Sequence, residues 1–197
     1  MVRSPCPICK RLMLVQADGP VDSPLLIIGE FPGIEEVKQG RPWVGPAGKV
    51  LDRELELAGI PRDICRVTNL WLHTPPTAPK TEKPKTKSAI ERWEEAAAAY
   101  EPEFTFHYTR LLKEIKGRKA LLMMGSDVTE ALIGRPVSLV AGCFIKSGRF
   151  ITAVNLPKVT VAMMNPAIVF RSGKEGKLGE TRLAIQRFAG AVNELKL

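Results

Sequence analysis

The residues with chemistry to offer fall into two groups. Cys6-Pro-Ile-Cys9 is a C-x2-C knuckle followed by basic Lys10 and Arg11. One such pair supplies only half of a tetrahedral metal site, so two further ligands must come from elsewhere in the chain. The second group surrounds a glycine- and proline-rich stretch from Gly29 to Gly48 that carries Glu30, Arg41 and Trp43. An apolar run, Leu25 to Ile28, precedes it, and a helical pattern with Val50, Leu51, Leu55 and Ala58 on one face follows it. A buried strand feeding a glycine-rich loop and then a helix is how α/β proteins build a site at the carboxyl end of a sheet.

The remaining elements must hold these groups in place. Gly59 reads as the C-cap of the first long helix, with Pro61 just beyond. A second strand is expected from Ile64 to Trp71, with Asn69 at its carboxyl end beside the glycine-rich loop. Ser88 to Tyr100 reads as a helix capped by Ser88 and Glu91 and ended by Pro102, with another helix from Phe104 to Ile115. Ala120–Met124 is a third strand, and Gly125-Ser126-Asp127 caps a helix from Val128 to Ile133. Val137 to Ile151 reads as a β-hairpin turning near Lys146 to Gly148, and Val159 to Met164 as the fourth core strand, stopping at Asn165-Pro166-Ala167. The last helix, Thr181 to Leu195, has Leu183, Ala184, Phe188, Ala191, Val192 and Leu195 as its core face. Strands alternating with helices predict a three-layer α/β/α sandwich around a mostly parallel, four-stranded sheet. The loops at Gly29–Gly48, Asn69–Pro76 and Asn165–Arg171 then converge on one edge.

The chain of 197 residues suits one domain, with an N-terminal knuckle (1–20) and a basic loop plus inserted helix (74–102). A formal net charge of +8 points to a polyanionic partner. Residues 74–87, rich in Pro, Lys and Thr, have a composition suited to phosphate contact or to solvation. No apolar run is long enough to span a membrane, and the N-terminus lacks a signal-peptide core. The expectation is therefore an intracellular, cytoplasmic protein, a monomer with no membrane partner. Four cysteines in such a chain read as thiol or metal chemistry rather than a disulfide framework, Cys65 and Cys143 being core residues.

Taken in order, three motifs resemble the uracil-DNA glycosylase superfamily, most closely its iron–sulfur, thermophile-type (family 4) branch. They are Gly29-Glu30-Phe31-Pro32-Gly33 with Gly40-Arg41-Pro42-Trp43-Val44-Gly45-Pro46-Ala47-Gly48, then Thr68-Asn69 through Pro75-Pro76, then Asn165-Pro166-Ala167 through Arg171. The resemblance implies DNA as partner and a monofunctional hydrolase that flips a deaminated or modified base and cleaves its N-glycosidic bond. A non-cleaving binder of a modified base, or a base-modifying enzyme, are the alternatives on this scaffold. It implies Glu30 and Asn165 as catalytic residues, with Gly29, Phe31, Gly33, Trp43 and Asn69 binding the base. Arg41, Gly45, Lys49 and Arg171 would contact DNA. Where the family has Ala and His, this chain has Phe31 and Asn165, a larger side chain beside the base and an uncharged donor at the leaving group.

The same resemblance bears on the metal. The family holds a four-iron cluster with four cysteines, of which Cys6 and Cys9 fill two places. The chain's two histidines, His73 and His107, fall on the vacated pair. Cys2His2 is a standard zinc set, so zinc is expected, with an iron–sulfur cluster as the alternative.

Overall fold

The computed structural model describes residues 4–76, 87–145, 155–172 and 175–195. The expected basic loop up to residue 86 and the hairpin turn near residue 147 lie mostly or wholly outside the described residues. Strands β1 (Leu25–Gly29), β2 (Arg66–Asn69), β3 (Ala120–Met124) and β4 (Val159–Met163) form one sheet in the order β2-β1-β3-β4. Every pairing is parallel.

β1, β3 and β4 are buried along their whole length, which is why they read as apolar runs, broken only by Thr160 in β4. Alternate side chains serve two cores. Leu25, Ile27, Leu122, Met124, Val161 and Met163 face one, with Leu51, Leu55, Ile185 and Phe188 against them. Leu26, Ile28, Leu121, Met123 and Ala162 face the other, with Leu111, Ile115, Val128 and Leu132. Helices α2 (Pro46–Leu57) and α6 (Glu175–Glu194) thus cover one face, and α3 (Lys87–Ile115) and α4 (Ser126–Ile133) the other. The three-layer expectation holds.

Several local readings are corrected. Pro102 does not end a helix: α3 runs through it, giving up the hydrogen bond its missing N–H would have made. Ser88 therefore lies within α3 rather than capping it. A short helix α1 (Ile34–Gln39) interrupts the glycine-rich loop, and β2 is shorter than expected because Arg62–Ile64 forms a 3-10 turn. α4 begins at Ser126, straight after Gly125. Val137–Leu139 is another 3-10 turn, and Phe144 makes a lone antiparallel bridge to Val161, so no first hairpin strand forms there. On α6, Leu183 is exposed and Ile185 takes its place in the core. Ala58 rather than Gly59 is the C-cap of α2, and Gly59 follows it in the left-handed conformation (φ 78°), with Ile60 N donating to Leu55 O at 2.9 Å.

Candidate active site and metal cluster

The chain leaves β1 toward β2 on one side and returns as β3 on the other, which opens a crevice at the carboxyl ends of β1 and β3. Glu30, the residue after β1, occupies it. Gly125, directly after β3, has φ 103°, and a Cβ there would stand 2.3 Å from Glu30 Cδ. Glycine is required on both counts. Glu30 Oε2 accepts from Asn165 Nδ2 at 2.9 Å, and Oε1 accepts from the Asp127 N–H at 3.3 Å. Asn165 Oδ1 in turn accepts from the Ala167 N–H at 3.0 Å, which fixes the orientation of the amide. The two expected catalytic residues, 135 positions apart, are therefore in direct contact. Burial, the nearby Glu30 carboxylate and Glu130 push the Asp127 carboxyl above its usual value. The arrangement offers a carboxylate anchored from two sides and an amide nitrogen with a second N–H left to donate.

Beside it, Gly29, Trp43 and Asn69 meet. A Cβ on Gly29 would lie 2.1 Å from Trp43 Cζ2 and 2.7 Å from Asn69 Oδ1. Asn69 is buried and its Oδ1 has no hydrogen-bond partner, as is true of the buried Trp43 Nε1. Buried polar atoms are normally paired, so unpaired ones mark places where a ligand or water belongs. Trp43 also belongs to the α2–α6 core, so the expected base-facing aromatic is at the same time a core residue.

Trp43 has φ 59°, unusual for a bulky side chain and the kind of strain found at sites that are over-determined by their surroundings. Two charged side chains hold it. Glu36 Oε1 accepts from the N–H groups of Val44 (2.9 Å) and Gly45 (2.7 Å). Arg62 donates to Pro42 O (2.9 Å) and Trp43 O (3.3 Å), and to Asp52 Oδ1 at 2.6 Å. The loop's glycines serve this clamp. Gly33 and Gly45 both leave room for the Glu36 carboxylate, and Gly48 for the Trp43 carbonyl. The Gly45 N–H is thus engaged internally. Arg41 is exposed and pairs with Asp18 at 2.8 Å, while Lys49 lies in the first turn of α2. Phe31 is 43% exposed rather than packed into a pocket wall. Arg171 falls in the short helix α5 (Ile168–Ser172), its side chain outside what is described.

Arg110 on α3 completes the support. It donates to Thr68 Oγ1 (2.9 Å), to the carbonyl of Asn69 and to that of Leu70 (2.9 Å), so it fixes the backbone that carries the Asn69 amide. Burial brings its guanidinium down to about 10, still charged at neutral pH. Neither this role nor those of Glu36 and Arg62 could be read from the sequence, because each depends on how the loop folds back or on contacts 10 to 42 residues away.

Side chains able to ligate a metal also converge. Cys6, His73, Glu103 and His107 are all buried and each offers a ligand atom, with all four atoms within 4.8 Å of one another. Cys9 Sγ stands 4.0 Å from His73 Nε2. The knuckle is closed by Cys6 N donating to Leu12 O and by Lys10 in the left-handed region (φ 60°). His73 Nδ1 meets Thr74 O at 2.8 Å, so in neutral His73 the proton sits there and Nε2 presents a lone pair. That Nε2 is 3.2 Å from His107 Nε2 and 3.3 Å from Glu103 Oε2, which makes no hydrogen bond. Burial, with His73 and Arg110 nearby, drops His107 to about 3, so it is neutral. Its Nδ1 accepts from the Leu72 N–H at a long 3.4 Å, a contact that ligation through Nε2 would displace.

Glu103 was missed because Pro102 reads as a helix end. On the continuous α3 it lies one turn from His107, facing the same way. The set does not fit a four-iron cluster, which takes a thiolate at each corner. Here, among the described residues, Cys6 and Cys9 are the thiols at the site; Cys65 lies in the α2–α6 core and Cys143 is exposed.

The profile of the uracil DNA glycosylase superfamily matches residues 16–188. The type-4 uracil-DNA glycosylase of Thermotoga maritima is 36% identical over 85 residues, 43% of this chain and 44% of that protein. Those of Sulfurisphaera tokodaii and Pyrobaculum aerophilum are each 38% identical, over 76 and 72 residues. These stretches cover 36% of this chain in both cases, and 34% and 37% of the two relatives. The chain thus aligns with less than half the length of the curated relatives it matches. The parallel sheet, the Glu30–Asn165 pair at its switch point and a profile match over most of the length agree: the chain belongs to the uracil-DNA glycosylase superfamily.

Proposed function

We propose that this protein is a monofunctional DNA glycosylase that hydrolyses the N-glycosidic bond of a deaminated base, uracil first among them, and that it acts as a monomer. The observation that carries the reading is the Glu30–Asn165 contact beside the unpaired, buried Asn69 Oδ1. A base extruded from the duplex enters the crevice with its ring against Trp43. Asn69 accepts from the imide N–H of the base and donates to the adjacent carbonyl. Glu30 orients a water toward the anomeric carbon and takes its proton. As the C–N bond breaks, the electron pair leaves with the base, and the free N–H of Asn165 meets the charge on its carbonyl oxygen. Arg41, Lys49 and Arg171, with the basic loop after Pro76, hold phosphates flanking the extruded nucleotide. The metal is a single zinc ion with a structural role, tying the N-terminal knuckle to the segment that follows Asn69; it takes no part in bond cleavage.

Incubation with oligonucleotides carrying uracil, hypoxanthine or hydroxymethyluracil, followed by alkali, tests this. Strand scission at the altered base is the expected result, and binding without scission at any of them contradicts it. One observation favours that second outcome, a non-cleaving binder: Asn165 carries no charge and already donates to Glu30.

A further inference from the structure

The cluster around His73 contains one group that the proposed zinc reading does not use. We infer that Glu103 is a direct ligand of the ion, so that the site is a mononuclear Cys6–His73–Glu103–His107 centre. The inference rests on the metal reading above and is independent of whether the protein cleaves DNA.

Three features lead to it. The first is spacing. A tetrahedral zinc with bonds of about 2.0–2.3 Å places its ligand atoms roughly 3.3–3.8 Å apart. His73 Nε2 to His107 Nε2 is 3.2 Å, and His73 Nε2 to Glu103 Oε2 is 3.3 Å, with Cys6 within the same 4.8 Å set. The two separations from His73 Nε2 match the short edges of such a tetrahedron.

The second is lone-pair accounting. With its Nδ1 proton given to Thr74 O, neutral His73 turns its Nε2 lone pair to the centre, where His107 Nε2 meets it at 3.2 Å. Glu103 brings a carboxylate oxygen with no hydrogen-bond partner, although the residue is only 7% exposed. A buried carboxylate oxygen without a partner calls for a cation beside it, which a metal ion supplies once His107 gives up its contact with the Leu72 N–H.

The third is the thiol: the backbone N–H groups of Ile8 and Cys9 point at Cys6 Sγ, as N–H groups of a metal knuckle do. Cys9 Sγ, 4.0 Å from His73 Nε2, lies outside the mutually close set and flanks it. Glu103 and His107 sit one turn apart on α3, so the ion would join three segments distant in sequence: the knuckle, the loop after β2 and α3. The inner carboxylate follows from α3 continuing through Pro102.

The test needs no DNA. The protein is purified without chelator, and zinc, iron and labile sulfide are measured per chain. It is then stripped and titrated with cobalt(II), whose visible d–d bands report ligand number and type and whose near-ultraviolet charge-transfer band reports thiolate. About one zinc per chain with no labile sulfide is expected. At saturating cobalt, Glu103→Gln should change the d–d spectrum, leave the thiolate band in place and weaken cobalt binding at least ten-fold. Cys6→Ser should abolish the thiolate band. Iron with stoichiometric sulfide, or a folded protein that binds neither zinc nor cobalt, overturns the single-ion site. A Glu103→Gln spectrum superimposable on that of the unsubstituted protein shows a carboxylate outside the ligand shell and overturns the assignment of Glu103, even if affinity falls. If the oligonucleotide assay fails while these results hold, only the glycosylase reading is lost.

Discussion

Glu36→Gln is the substitution that the loop geometry makes most informative. The Glu36 carboxylate accepts two successive backbone N–H groups, from Val44 and Gly45, directly after Trp43. Hydrogen bonds to an ionised group contribute about 1.5–3 kcal/mol each, and neutral ones about 0.5–1.5 kcal/mol. Gln keeps one acceptor oxygen in nearly the same place, so the loss is about 1–1.5 kcal/mol per bond, or roughly 2–3 kcal/mol for the pair. Some of this returns if Trp43 relaxes from its positive φ, a strain of about 1–3 kcal/mol when fully released. The expected net loss is about 2 kcal/mol of unfolding free energy. Urea denaturation measures it, and near-ultraviolet circular dichroism reports whether the indole has moved. A Glu36→Gln protein within about 0.5 kcal/mol of the original, with an unchanged aromatic spectrum, would refute the idea that this carboxylate holds the loop.

Other substitutions test other parts of the account. Gly29→Ala places a methyl group 2.1 Å from the Trp43 ring and should cost about 1–3 kcal/mol by overpacking, with loss of base-dependent activity; wild-type stability and activity would contradict the contact. Asn165→His restores a side chain able to carry charge at the leaving base and should raise uracil excision roughly ten-fold or more in single-turnover assays. A fall in rate would mean that the Asn165–Glu30 contact matters more than charge. Glu114 pairs with Arg66 (3.1 Å) and Arg118 (3.2 Å). Burial alone would raise its carboxyl, but the Arg66 hydrogen bonds and the surrounding arginine charges hold it below the usual value. A carboxylate lowered in the folded state stabilises above its unfolded pKa, and that contribution is lost as pH falls through the folded pKa. Glu114→Gln should therefore be less stable than the parent at neutral pH, with the two denaturation curves converging in acid. A gap that persists in acid would assign the effect to packing.

What the sequence made legible follows from where its signals are local. β1, β3 and β4 were readable because a strand buried on both faces is a mostly apolar run, whatever it packs against. Glu30, Asn69 and Asn165 were readable because each ends a strand or follows one within two residues, and strand ends define the site in a parallel sheet. His73 and His107 were found as replacements for expected cysteines, and both lie in the cluster. Glu103 was hidden by a local rule that tertiary packing overrode, since α3 tolerates Pro102 in its interior. Leu183 was assigned to the core because an apolar side chain fits the helical period; the shared face instead runs through Ala184, Ile185, Phe188 and Val192. Glu36, Arg62 and Arg110 look like ordinary surface charges in one dimension. Their partners are backbone groups of the Trp43 loop and of β2, in the case of Arg110 about 40 residues away.

The central claim is that the crevice between β1 and β3 receives a base and that Asn69 reads it. The most direct measurement is single-turnover formation of alkali-labile sites in a uracil-containing duplex, made in parallel with Asn69→Ala at matched folded concentration. The account predicts scission at uracil by the unsubstituted protein and a loss of at least roughly a hundred-fold with Asn69→Ala, because a site built to hydrogen-bond its substrate is left unpaired without that contact. Equal scission by both proteins would contradict it.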